Sequence, residues 1–156
     1  YLLWKARIQG FEVRFIELAT QINAAMPRHV VERTAEILND VQKPLRGSRI
    51  LIVGVSYKRD VNDVRESPAI EIIKLLKERG ALPSYHDPYV PLLKTDDGEM
   101  KSIPLTDATL KQSDCVVIVT DHMMNYQFLY EKSSLIFDTR NALRHVKVKG
   151  ARVVRL

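Results

Sequence analysis

"ILIVGVSYKRDVNDVRESPA", residues 50–69, decides how this chain folds. Its opening "ILIV" is the short all-apolar run of a strand buried on both faces of a parallel sheet. Gly54 ends that strand, and a polar loop leads to Ser67, a good helix N-cap. Pro68 suits the first helical position and Glu71 the positive end of the helix dipole, while Gly80 closes the helix after "AIEIIKLLKER". Strand, glycine, loop and helix is how a nucleotide-binding unit begins, yet a dinucleotide fingerprint places three glycines in such a loop and this one holds a single glycine. In their place stand Tyr57, Lys58, Arg59 and Arg65, interleaved with Asp60, Asp63 and Glu66.

Downstream, residues 82–86 read as a second strand ending at Asp87-Pro88. Residues 89–104 carry the turn signal "TDDGE" and read as an irregular surface excursion. A short helix over 107–112 precedes a strand over 115–119, and "LIF" at 135–137 and "RVVRL" at 152–156 supply two more strands. This alternation predicts an α/β fold, a Rossmann-like doubly wound and mainly parallel sheet joined by right-handed crossovers. Upstream, Phe15, Leu18, Ile22, Met26, Val30, Ile37 and Val41 recur mostly at three- and four-residue steps, so a long helix, or two stacked ones, covers about 12–41. Pro27 either kinks it or opens its second half. The turn "KPLRGS", residues 43–48, is the best boundary, dividing a helical segment over 1–46 from an α/β domain over 47–156. So long a helix suits a link between domains or pairing with a second subunit; folding onto its own domain is the plainer alternative.

Composition narrows the class. With 46% hydrophobic and 28% charged residues the chain is neither disordered nor fibrous. Its net charge of +5 favours an anionic partner, but no Lys/Arg run exceeds two residues, so a phosphate-bearing small molecule accounts for it without nucleic acid. No apolar run approaches the ~18 residues that would span a bilayer, and no signal sequence opens the chain, which points to a cytoplasmic protein. The single cysteine, Cys115, lies within "DCVVIVT" and reads as a buried structural thiol rather than a nucleophile. The four histidines are scattered, with no metal-ligand spacing and no nucleophile elbow beside them.

In an open α/β sheet ligands bind beyond the carboxyl ends of the strands. The residues there are Gly54, Ser56, Tyr57 and Lys58, then Asp87, then Thr120, Asp121 and His122, then Asp138, Thr139, Arg140 and Asn141. Lys58 and Arg140 come from separate loops, and two cations aimed at one crevice suit a diphosphate, the arginine as a planar fork and the lysine as a mobile point charge. The alternative pairs Arg140 with Asp138 or Asp121 and leaves Lys58 merely solvated. Asp60, Asp63, Arg65 and Glu66 read as braces that hold the loop and project Lys58. Asp87 could hold a ribose, but without the glycine fingerprint a turn that shapes the crevice is the better reading.

"GVSYKRDVNDVRESPAIEIIKLLKERGA", "YHDPYV", "VVIVTDH" and "FDTRNAL", in this order and spacing, resemble the carboxyl-terminal UDP-binding domain of the UDP-glucose/GDP-mannose dehydrogenase family. "YLLWKARIQGFEVRFIELATQINAAMPRHVV" resembles that family's central segment and dimerising helix. The resemblance covers essentially the whole chain and implies an NAD-dependent enzyme that oxidises the 6-hydroxymethyl group of a UDP-sugar to a carboxylate through a cysteine-bound thioester, acting as a homodimer through 12–41. It implies that Lys58 contacts the nucleotide sugar, with Tyr57 beside it and Arg140 of the "FDxRN" element approaching the UDP moiety. The family's NAD-binding half and its "GGxCxPxD" cysteine motif are missing from these residues, and Cys115 cannot replace that cysteine. NAD is therefore expected on the missing amino-terminal domain, with no catalytic residue here and no activity for this piece alone. "TDH" and the "YLLWKA" start look more like the UDP-N-acetylhexosamine dehydrogenases of surface-polysaccharide pathways than the UDP-glucose enzymes. The competing expectation is a non-catalytic Rossmann-like module that binds or senses a nucleotide.

Overall fold

The computed structural model describes Lys5, Ile8 and residues 14–147 and 152–156. Helix α1 (Arg14–Asn39) is followed by strand β1 (Arg49–Val53), helix α2 (Pro68–Glu78) and strand β2 (Leu82–His86). After these come β3 (Leu92–Thr95), β4 (Gly98–Lys101), α3 (Asp107–Gln112), β5 (Cys115–Ile118), α4 (Tyr126–Lys132), β6 (Leu135–Asp138), a 3-10 turn (Ala142–His145) and β7 (Arg152–Arg155). Five strands form one sheet in the order β2-β1-β5-β6-β7, every neighbouring pair parallel.

Alternation within the strands builds the layers. Ile50, Ile52, Cys115, Val117 and Phe137 face one side, where α1 and α2 cover them with Val30, Val31, Ile37, Leu38, Ile72, Ile73 and Leu76. Leu51, Val53, Val116, Ile118 and Ile136 face the other side, against Leu110 of α3 and Leu129 and Tyr130 of α4. Successive side chains on a strand point to opposite faces, so an all-apolar strand demands cover on both. Each such aliphatic side chain, once buried, contributes roughly 2 kcal/mol. The doubly wound fold expected from the sequence is the one observed.

The long helix is continuous. It runs 26 residues through a buried Pro27, which has no N–H to offer the carbonyl of Asn23 four residues earlier. Its second half is core, but its first half leaves Phe15 89%, Leu18 53% and Ile22 53% exposed. The start expected at residue 12 lies outside the described residues. At the head of α2 Ser67 accepts a hydrogen bond from Ala69 N, as expected of the N-cap.

Two local expectations need correction. Residues 89–104 are not irregular: β3 and β4 pair antiparallel around the Asp96-Asp97 turn. Leu93 is fully buried, and the Tyr85 hydroxyl donates toward the carbonyls of Val90 (3.1 Å) and Met100 (3.2 Å), so the excursion is pinned to the core by contacts distant in sequence. The second concerns the stretch between β5 and β6, where no helix was expected: α4 is seven residues capped by Asn125, whose side chain accepts from Phe128 N at 3.0 Å. It is too short for periodicity to reveal, and it supplies the crossover between β5 and β6.

Candidate functional site

The sheet order reverses direction between β1 and β5, which makes the loops following these strands the walls of the expected crevice. They meet each other directly. Gly54 has φ +83°, and a Cβ there would collide with the Thr120 carbonyl oxygen and lie 2.6 Å from Thr120 Cβ. The lone glycine of the loop is thus required by the loop after β5.

The backbone N–H groups that would face a pyrophosphate in a dinucleotide fold are occupied by an internal anion. Val55 N (2.7 Å) and Ser56 N (3.1 Å) both donate to Asp87 Oδ2, while Tyr89 N and Val90 N donate to Oδ1 at 2.8 and 3.1 Å. Asp87 is therefore an internal turn and loop anchor, not a ribose ligand presented to solvent. Beside it lies His122, fully buried, with Nε2 2.9 Å from Asp87 Oδ2 and 3.1 Å from Ser56 Oγ. Asp60 N donates to His122 Nδ1 at 2.9 Å, so Nδ1 carries the lone pair and Nε2 the proton.

Charged residues brace the rest of the loop. Arg65 binds both carboxylate oxygens of Asp63, Nε at 3.0 Å and Nη2 at 2.8 Å, and Tyr57 N donates to the Asp63 carbonyl at 2.6 Å. Asp60 takes Met123 N at 2.7 Å. Asp60 and Glu66 both sit in the left-handed region, φ +57° and +58°, which costs a non-glycine residue about 1 kcal/mol. Burial works against the charge on Asp87, but hydrogen bonds from His122, Val55 and Tyr89 outweigh it and hold the carboxyl below its ordinary value. The Met123 N–H likewise lowers Asp60, and Arg65 pulls Asp63 down to about 2.

Of the three residues expected to bind ligand, two line one cavity. Tyr57 and Arg140 share a space of about 300 Å³ with Met26 and Pro27 of α1, Pro68 and Ile72 of α2, and Leu156. Lys58 is outside that lining; it is exposed, with its ammonium 5.4 Å from the Tyr57 ring centroid. Arg140 does not pair with Asp138, whose carboxylate accepts the backbone N–H groups of Arg140, Ala142 and Leu143 at 3.1, 3.0 and 2.9 Å. Asp121 lies at 4.0 Å from Arg59 and from Arg144 instead. Among the described residues the Arg140 guanidinium has no ion-pair partner, and neither has the Lys58 ammonium. Glu66, expected to be a brace alone, also lines the cavity. His122 and Ser56 acquire their importance only in three dimensions; the available signal was their position just past a strand.

Cys115 is buried in β5, and desolvation pushes its thiol up to about 12. It is not an activated nucleophile. Among the described residues no helix is long and apolar enough to cross a membrane.

A parallel sheet in the order 2-1-5-6-7, with a partly apolar cavity lined by Tyr57 and Arg140 at its carboxyl edge, is the architecture of an α/β ligand-binding domain. The chain belongs to the UDP-glucose/GDP-mannose dehydrogenase family, whose UDP binding domain matches residues 51–145. It is 33% identical over 145 residues to the UDP-N-acetyl-D-mannosamine dehydrogenase of Methanococcus maripaludis, covering 85% of this chain and 31% of that protein. It is 29% identical over 146 residues to the UDP-glucose 6-dehydrogenase of Rickettsia bellii, covering 88% and 33%. Among solved structures, the UDP-N-acetyl-mannosamine dehydrogenase of Staphylococcus aureus superposes with a TM-score of 0.69 at 29% identity, over 93% of this chain and 33% of that one. The NDP-N-acetyl-D-galactosaminuronic acid dehydrogenase of Methanosarcina mazei shares the fold with a TM-score of 0.76 at 20% identity, over 99% and 35%. The chain thus spans about a third of the length of these relatives.

Proposed function

We propose that this chain is the carboxyl-terminal portion of an NAD-dependent UDP-sugar 6-dehydrogenase, with residues 47–156 forming the nucleotide-sugar side of the substrate cleft and 1–46 part of a dimerising segment. The observation that carries the reading is the cavity shared by Tyr57 and Arg140, with Lys58 poised over the tyrosine ring. A diphosphate suits the two unpaired cations, Arg140 binding two oxygens in its plane and Lys58 following as a point charge. Tyr57 is 48% exposed and offers a ring face to the base or the sugar. The 33% identity to a UDP-N-acetyl-D-mannosamine dehydrogenase, against 29% to the UDP-glucose 6-dehydrogenase of Rickettsia bellii, supports a UDP-N-acetylhexosamine over UDP-glucose.

NAD is assigned to another part of the full protein. The commitment of Val55 N and Ser56 N to Asp87 supports this, because the first two N–H groups after Gly54 are then not free to cradle a pyrophosphate. The thioester cysteine is assigned elsewhere as well, since Cys115 is buried and its thiol strongly held protonated. By themselves, then, these 156 residues bind a nucleotide sugar and oxidise nothing. Titration calorimetry tests this: UDP should bind weakly, the affinity should fall about tenfold or more in Lys58→Ala and in Arg140→Ala as a charge-assisted contact is lost, and NAD+ should give no heat. Tight NAD+ binding would overturn the assignment and favour the sensing module instead.

A further inference from the structure

We infer that His122 is the positioning residue of the nucleotide-sugar loop, fixing the backbone on both sides of Lys58 so that its side chain is presented to the ligand. The inference rests on the proposed role of Lys58 as a ligand to the nucleotide sugar. Lys58 is exposed on a loop with no regular secondary structure, and among the described residues nothing holds its ammonium in place except the neighbouring tyrosine ring. Its main chain is held, however, through a relay centred on one imidazole. On one side His122 Nε2–H is shared by Asp87 Oδ2 (2.9 Å) and Ser56 Oγ (3.1 Å), and the Ser56 hydroxyl donates in turn to the Lys58 carbonyl at 2.8 Å. On the other side, two residues on, Asp60 N donates to His122 Nδ1 at 2.9 Å.

Each end of this relay is anchored independently. Asp87 is held by four backbone N–H groups, those of Val55, Ser56, Tyr89 and Val90. Thr120, two residues before the histidine, donates its hydroxyl to the Ser56 carbonyl at 2.8 Å, and the Tyr89 ring lies 5.2 Å from the imidazole. Asp60 adopts φ +57°, a conformation a non-glycine residue keeps only when its surroundings over-determine it. The bond to His122 Nδ1 and the Met123 N–H on its carboxylate supply that constraint. An imidazole alone among side chains offers a donor and an acceptor on opposite edges of one rigid ring, which is what bridging Asp87 to Asp60 requires. The crevice between β1 and β5, where open α/β sheets usually take their ligand, is thereby filled by the protein's own histidine, and the neighbouring loop becomes a rigid arm.

Two substitutions separate the two edges of the ring. His122→Gln places an amide near the Nε2 position, keeping a donor for Asp87 and Ser56, but leaves Asp60 N–H without its acceptor. His122→Asn places its oxygen near Nδ1, keeping that acceptor, but drops the donor to Asp87. In the 156-residue chain, His122→Gln should raise the exchange rate of the Asp60 amide and weaken UDP binding by about tenfold each, the effect of one lost hydrogen bond at the loop. His122→Asn should lower the urea midpoint more than His122→Gln does, yet keep the Asp60 amide protected and, because Ser56 stays held by Thr120 and still donates to the Lys58 carbonyl, most of the UDP affinity. A role confined to stability predicts the opposite ranking, with affinity following the urea midpoint in both variants, and that result would overturn the proposal. So would wild-type UDP affinity in His122→Gln when Lys58→Ala weakens binding. If Lys58→Ala leaves UDP affinity unchanged, or the wild-type chain does not bind UDP, the ligand role of Lys58 fails first and the positioning role falls with it.

Discussion

Gly54 makes the residue-scale case that a single position can be set by a neighbour distant in sequence. Its positive φ suits glycine, but the harder constraint is Thr120, which leaves no room for a Cβ. Gly54→Ala should therefore cost both backbone strain and overpacking, about 2–4 kcal/mol together, read as a lowered urea midpoint with the m-value unchanged. Cys115 is the converse, a reactive residue type made inert by its place in β5. A thiol reagent should leave it unmodified in the native chain and react fully once the chain is unfolded; rapid native-state labelling would contradict that burial. The sequence places Tyr57, Lys58 and Arg140 just past parallel strands, and their position at that edge follows whatever their neighbours are. The sequence does not place Glu66 in the same way, since its position in the cavity lining depends on how α1 lies across the loop.

At the scale of elements, α1 carries two different faces along one helix. From Val30 onward it is core, packed on α2 with Ile72, Ile73 and Leu76. Before Met26 it presents Phe15, Leu18 and Ile22 to solvent, at helical spacing and more than half exposed. An apolar stripe of this kind is costly to hydrate and suits the dimer proposed above. Sedimentation should accordingly find a dimer, and Phe15→Asp with Leu18→Asp should shift it to monomer while the far-ultraviolet spectrum and urea midpoint of the α/β core are retained. A wild-type chain that stays monomeric at every accessible concentration would sink the interface. The hairpin β3–β4 illustrates the opposite limit of sequence reading: with "TDDGE" visible but no alternation around it, its strands are recognisable only from Leu93 and the Tyr85 hydroxyl, which join it to the core.

Over the whole molecule both edges of the sheet are held by carboxylates whose acidity the fold has changed, Asp114 at the amino ends of β1 and β5 and the others at the carboxyl ends, and this dictates how stability follows pH. Asp60, Asp63, Asp87 and Asp114 all ionise at lower pH when folded than the ordinary value of 3.8, Asp63 near 2. Below 3.8 the unfolded chain takes up protons that the native chain resists, so the stability these groups contribute is complete above that pH and is lost as the pH falls toward 2. Urea unfolding should show a steep decline in stability below about pH 4. At the alkaline end Cys115, raised from 9.0 to about 12, works the other way, since an unfolded thiol ionises where the buried one cannot and stability declines above pH 9. The order of the five sheet strands and of α1, α2 and α3, the buried character of β1 and β5, the cap at Ser67 and the loops that carry Tyr57, Lys58 and Arg140 were determined by the sequence alone, because they depend on periodicity and on residue types within a few positions of one another. What the loop after β1 holds was decided only by the tertiary structure: its N–H groups close on Asp87 and its curve on His122, residues 31 to 66 positions away that no local pattern connects and that only the parallel sheet brings to the same edge.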